Sequence, residues 1–182
     1  SLSDIFYISG VKSGNDLESA ADIPEWNYAY TGQEKTENYA SLLMGHLYSC
    51  IRMNIMVNSS YATLRTVKIK KLELRSSADH QVETVITLPV AQQPTFSYSE
   101  TEDSSRPLSI IDHEEGIELN SLTPLQRDVY VLPCVTTLKL VSTYDIYDRE
   151  GNIVRKDNHA ENDIFGKIKL TAGTRTILNM TV

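Results

Sequence analysis

A chain of 182 residues with 41% apolar and 23% charged residues has the make-up of an ordinary globular protein, long enough to bury one good core. Its 24 acidic residues against 17 basic ones give a net charge of −7, which argues against nucleic acid and anionic membrane surfaces as partners. No run of about 18 apolar residues occurs, so no transmembrane helix is expected. Tyrosine is over-used, 10 against 3 Phe and 1 Trp, and suits half-buried strands with the ring inside and the hydroxyl in water. The chain opens on Ser1 and shows no signal h-region, which leaves export open.

Residues 1–40 are expected to form an irregular N-terminal arm, with residues 41–182 as a single domain. Leu2–Val11 has the composition of a strand. Lys12–Gly32 is punctuated by Gly, Asn, Asp and Pro and reads as a long loop, which Trp26 would pin to the body. Glu34–Leu47 has room for one short helix. Leu47–Val57 (LYSCIRMNIMV) is period two: Leu47, Ile51, Met53, Ile55 and Val57 lie on one face, Arg52 and Asn54 on the other. Leu64–Leu74 repeats the device, and the phase slip between Ile69 and Leu72 predicts a bulge.

Glu83–Leu88 is a third strand, closed by Pro89. Ala91–Arg106 reads as an exposed loop, and Gly116–Leu119 as a short, weak strand. Asp128–Pro133 and Thr136–Tyr147 are strands, with Pro133 at a strand end. Arg149-Glu150-Gly151-Asn152 then turns the chain into a new strand at Ile153. A last hairpin is expected to join Ile164–Leu170 to Thr174–Val182 through Thr171-Ala172-Gly173, with Leu178, Met180 and Val182 facing the core. Eight or so short strands with regular turns predict an all-β chain, a sandwich with Greek-key connections.

No constellation of catalytic or metal-binding residues stands out. His46, His80, His113 and His159 share no ligand spacing and read as surface histidines. Asp112, Glu114 and Glu115 around His113 read as a solvated acidic loop before a metal or acid–base site. Asp145, Asp148, Glu150 and Asn152 lack the spacing of a calcium loop and read as an ordinary turn. GxSxG is absent, and Gly10, Gly14, Gly32 and Gly45 form no phosphate loop. Cys50 and Cys134 are either bridged or two separate thiols. Trp26, Tyr28 and Tyr30 either stack on a sugar or anchor the arm. No catalytic residue, metal or cofactor is expected, and the binding residues are left open.

The ordered set HLYSCIRMNIMV, TVKIKKLELRS, DVYVLPCVTTLKLVSTYDIYDREGNIVRK and GKIKLTAGTRTILNMTV resembles the fimbrillin-like proteins of Bacteroides-type bacteria. The matching landmarks are His46 with Leu47, Leu132-Pro133, Tyr144 through Gly151, and Leu170 through Val182. They span residues 46–182; the departure is Thr176 or Ile177 where the closing strand of the family carries Tyr. The resemblance implies a transthyretin-like Greek-key sandwich, export as a lipoprotein to the outer membrane or fimbrium, and a non-enzymatic role in cell adhesion. It implies other fimbrial or surface proteins as partners, joined by an extended segment of one subunit laid along a sheet edge of the next. Family members usually carry two sandwich domains, and this length suits one plus an arm. Shaft, tip, anchor and accessory roles therefore stay open. A surface glycan- or protein-binding module is the alternative, and an unrecognised hydrolase a more remote one.

Overall fold

The computed structural model describes residues 3–13, 40–77, 79, 81–87, 95–100 and 106–182. Among these residues the protein is all-β, with eleven strands and a single helical turn. None of its described helices is long and apolar enough to cross a membrane. The strands are β1 (Phe6–Ser13), β2 (Ala40–His46), β3 (Ser49–Met56), β4 (Thr66–Ser76), β5 (Gln81–Thr87) and β6 (Thr95–Glu100). They continue with β7 (Leu108–Glu118), β8 (Leu125–Val131), β9 (Leu138–Tyr147), β10 (Ile153–Asp163) and β11 (Arg175–Thr181). The helical turn α1 (Ser59–Ala62) follows β3 and is capped by Asn58, whose side chain accepts from the Ser60 and Tyr61 amides.

Two sheets share one core. The larger has the order β10-β9-β4-β7 and the smaller β11-β3-β8. Ile51, Met53 and Ile55 of β3 and Val129 of β8 meet Val67, Ile69, Leu72 and Leu74 of β4 and Leu138 and Leu140 of β9 in a single buried cluster. Period two decides which residues these are: on β3, from Ile51 to Met56, the odd positions are buried and the even ones half-exposed, as the alternation of Leu47–Val57 predicts. Each such aliphatic side chain contributes about 1.5–3 kcal/mol by leaving water. Two further two-stranded sheets, β1–β2 and β5–β6, pair with nothing else among the described residues. The β1–β2 ribbon presents Phe6, Ile8 and Met44 to solvent.

The bulge expected on β4 is present. Both of its ladders shift register between Ile69 and Lys71, so Val67 and Ile69 point into the core, and Leu72 and Leu74 do so again after the slip. Leu64 is not part of this strand; it is 58% exposed in the turn after α1. The Arg149–Asn152 turn also forms as read. Gly151 has φ +86°, and the Asp148 carboxylate accepts from the Asn152 amide at 2.8 Å.

Four expectations are corrected. Residues 40–46 of the suggested helix are β2, held to β1 by an antiparallel ladder; residues 34–39 lie outside the described residues. The supposed loop over Ala91–Arg106 contains β6, because Thr95–Glu100 alternates well enough to pair with β5. The acidic stretch around His113 belongs to an eleven-residue strand, β7, of which Gly116–Leu119 is only the end. The last hairpin does not form. The turn at Thr171–Thr174 exists, but the Gly173 amide donates to Tyr48 O and the Cys50 amide to Thr174 O. These bonds direct β11 onto β3 as a parallel neighbour, and residues 164–170 contribute only the bridge Phe165–Ile168. Parallel pairing across so long a sequence separation leaves no local signal.

Candidate interaction edge between the sheets

Each of the two main sheets has two outer strands, and the sequence treats these four edges differently. At β7, Ile117 pairs with Ile69 and Asp112 with Lys71, so His113, Glu114, Glu115 and Gly116 stand opposite Lys70 alone. This wide bulge is possible because Gly116 adopts φ +76°, and a Cβ there would lie 2.8 Å from that of Lys68. Asp112, His113, Glu114 and Glu115 are all exposed on it. A bulged, charged edge cannot template another strand.

The β10 edge is blunted in the same way. Its ladder to β9 shifts on both sides of Arg155, and Asp157 takes φ +50°, which is rare outside glycine. The turn is held by polar contacts: the Asp157 amide donates to Asp145 Oδ1 at 2.6 Å, and Lys70 Nζ donates to Asp157 Oδ1 at 2.7 Å. Lys70 also lies 3.7 Å from buried Asp145. The hydrogen bond from Lys70 to Asp157 raises the Lys70 pKa and lowers that of Asp157. On the third edge, β8, the charges Arg127 and Asp128 sit mid-strand, with Pro124 just before it and Pro133 beyond its end. Asp128 takes a bidentate pair from Arg52 at 2.8 and 2.7 Å, and that hydrogen bonding lowers its pKa.

The β11 edge has none of these devices. Its ladder to β3 runs from Arg175 to Thr181 without a register shift, and after Arg175 the strand carries no charge and no proline. In a parallel ladder, alternate residues turn their backbone groups to the same neighbour. Thr174 and Val182 bond β3, so the odd residues from Arg175 to Thr181 turn theirs to the open edge. Leu178 and Met180 pack against the core, whereas Ile177 is 59% exposed.

Beside this edge runs an apolar groove of about 450 Å³. Leu178–Val182 form one wall, Leu140, Ser142 and Tyr144 of β9 with Ala160 and Asn162 of β10 the other, and Ile164 and Lys167 lie at its end. Among the described residues the smaller sheet has three strands against four in the sheet with which it shares a core, and the groove lies between β11 and the β9–β10 side of the larger sheet. Val182 also lines a second, more open bay of about 420 Å³ with Asn58, Ser60, Tyr61 and Leu64.

The residues singled out from the sequence do not converge. His46 ends β2 and bonds Asp4 at 2.5 Å, His113 lies in the β7 bulge, and His159 on β10 meets Thr143 at 3.1 Å. His80, Trp26, Tyr28, Tyr30, Gly14 and Gly32 lie outside the described residues. Among the described residues no three His, Cys, Asp or Glu side chains come together as a cation site. Asp145, Asp148 and Asn152 hold β10 and its turn in place. Cys50 is buried, Cys134 exposed, and both are free thiols. The groove was missed because its walls come from strands far apart in the chain; the uncharged run Thr176–Val182 is its only local trace. No family model, no curated protein and no solved structure matches the chain.

Proposed function

We propose that this protein is a cell-surface structural or adhesive subunit, fimbrial or accessory, that acts by receiving an extended segment of another surface protein along β11. In this reading the two sheets form a transthyretin-like Greek-key sandwich, the resemblance to fimbrillin-like proteins is one of kinship, and the protein is exported to the outer membrane or fimbrium. No catalytic step is involved. The observation that carries the reading is β11, the unguarded one among the four described edges of the two main sheets, lying beside an apolar groove that it lines together with β9 and β10. An added strand would gain main-chain hydrogen bonds from the edge and side-chain burial from the groove.

The test is co-purification with fimbrial subunits from outer-membrane extracts, using the protein and its Met180→Asp variant. Recovery of fimbrial subunits by the parent alone supports the reading. Equal recovery by both variants removes β11 from it, and turnover of a glycan or peptide substrate replaces it with the enzyme reading.

A further inference from the structure

The groove and the bay share Val182, so the apolar path does not stop where β11 ends. It continues over the C-terminal end of β11 to Tyr61 and Leu64, which are 37% and 58% exposed. At that point the chain also places positive charge. The Arg149 guanidinium donates to the Thr63 carbonyl through Nε at 2.6 Å and through a second nitrogen, and Arg65 donates to the Leu64 carbonyl at 2.8 Å. Neither arginine has a carboxylate partner among the described residues. Asp148, next to Arg149, is committed to Asn152 within its own turn. The groove itself carries one charge, Lys167, at the other end.

Resting on the reading of β11 as a receiving edge, we propose that the received segment is an apolar strand flanked by acidic residues. Its alternate side chains would fill the groove, one more would cross Val182 into the bay against Tyr61 and Leu64, and a carboxylate beyond would reach Arg65 and Arg149. Lys167 favours the same sign of charge at the opposite end, so the partner's charge is specified at both ends and its apolar content between them.

Two labelled peptides of about eight alternating Val and Thr residues, one with Glu-Glu at both ends and one with Lys-Lys, test this by fluorescence anisotropy against the full chain. The acidic peptide should bind about five-fold more tightly at low salt, the scale expected of two exposed charge pairs, and the margin should shrink as salt rises. The double variant R65E/R149E should reverse the order, and Leu64→Asp should weaken both peptides without unfolding this exposed turn. Glu150→Gln, which removes the carboxylate next to Arg149 in sequence, should widen the margin. Equal affinity for both peptides overturns the charge assignment while leaving β11 as the receiving edge. Binding of neither peptide, or binding unchanged by Met180→Asp, overturns the receiving edge itself. Self-association of the chain through β11 that excludes both peptides makes a second copy the occupant and overturns the acidic partner.

Discussion

The β10 and β11 edges border the same groove from opposite sheets and are built on opposite rules. The β10 edge is interrupted twice, carries Arg155, Lys156 and Asp157 in sequence, and is tied back by Lys70 and Asp145. The β11 edge is regular, almost uncharged and, among the described residues, paired with no strand on its outer side. Natural sheets spend charge and irregularity to stop unwanted strand pairing, and the proposed function takes an edge left without either as the place where a partner strand is received. The contrast also separates fold from function. Disturbing the guarded edges should alter stability alone, whereas disturbing β11 should alter uptake of a strand, with or without loss of stability.

The largest effect is expected where β11 meets the core. Leu178 packs on the buried cluster, and Leu178→Asp places an unpaired carboxylate there, at a cost of about 3 kcal/mol. Asn179→Asp, one residue on, faces solvent and accepts from Asn54 at 2.9 Å through an oxygen that aspartate retains. It should change stability by less than about 0.5 kcal/mol. Thermal melts of the two variants check this. Matching melting temperatures would mean that β11 does not present Leu178 inward.

The next effect belongs to a guarded edge. Gly116→Ala must hold a side chain at φ +76° with its Cβ at 2.8 Å from that of Lys68, so strain and a clash act together. Gly151→Ala meets only the strain, since nothing lies within 4 Å of the added atom. A left-handed alanine costs about 1 kcal/mol, and Gly116→Ala should cost roughly twice that. Urea titrations should show the order Gly116→Ala, then Gly151→Ala, then the parent, with strand uptake unchanged in both variants.

This contrast between edges was only partly legible in the sequence. Strands whose apolar residues recur with period two, β3 and β4, are recognised from Leu47–Val57 and Leu64–Leu74 alone, and even the β4 bulge is visible as a phase slip. The hairpin β9–β10 is legible through Gly151 and Asn152. What was lost is non-local or two-sided. β10 is exposed on both faces, so the strand expected from Ile153 lacks the alternation that would show its extent to Asp163. β7 carries its charges in a bulge, and the run IIDHEEG reads as a loop because four residues there do leave the ladder. The parallel partner of β11 lies more than a hundred residues upstream, beyond any local pattern. The groove depends on the first and the last of these, so the sequence places Leu178, Met180 and Val182 on one face without showing the β9 and β10 residues opposite them.

A smaller effect follows from pH. Glu73 is buried on β4 between Lys71 at 2.6 Å and Arg75 at 3.2 Å, and the hydrogen bond from Lys71, then that from Arg75, outweighs burial and lowers its pKa. A carboxyl group with a depressed folded-state pKa contributes stability that is fully present above its unfolded value, near 4.5, and is lost as pH falls through the folded value. Asp128 and Asp157 act in the same direction. The melting temperature should therefore fall below about pH 4.5, and Glu73→Gln should flatten that fall by removing one contributor. A variant as acid-sensitive as the parent would show that the Lys71 and Arg75 contacts do not hold in solution.

The smallest change in stability should carry the sharpest change in behaviour. Ile177 lies on β11 with 59% of its surface in water, so Ile177→Lys neither opens a cavity nor buries a charge. Its cost should stay within about 0.5 kcal/mol. Lysine on an outer strand is nevertheless one of the devices by which sheets refuse another strand, and β11 lacks it. Placed at Ile177 it gives this edge the protection that β10 and β7 already have. Uptake of an added strand, followed by anisotropy with the acidic Val/Thr peptide, should fall several-fold while the melting temperature holds. The matched control is Val154→Lys on β10, exposed at 47% on an edge that is already guarded, which should leave both quantities unchanged. If both lysines weaken uptake equally, the two edges are not different in kind; if neither does, the incoming strand does not lie along β11.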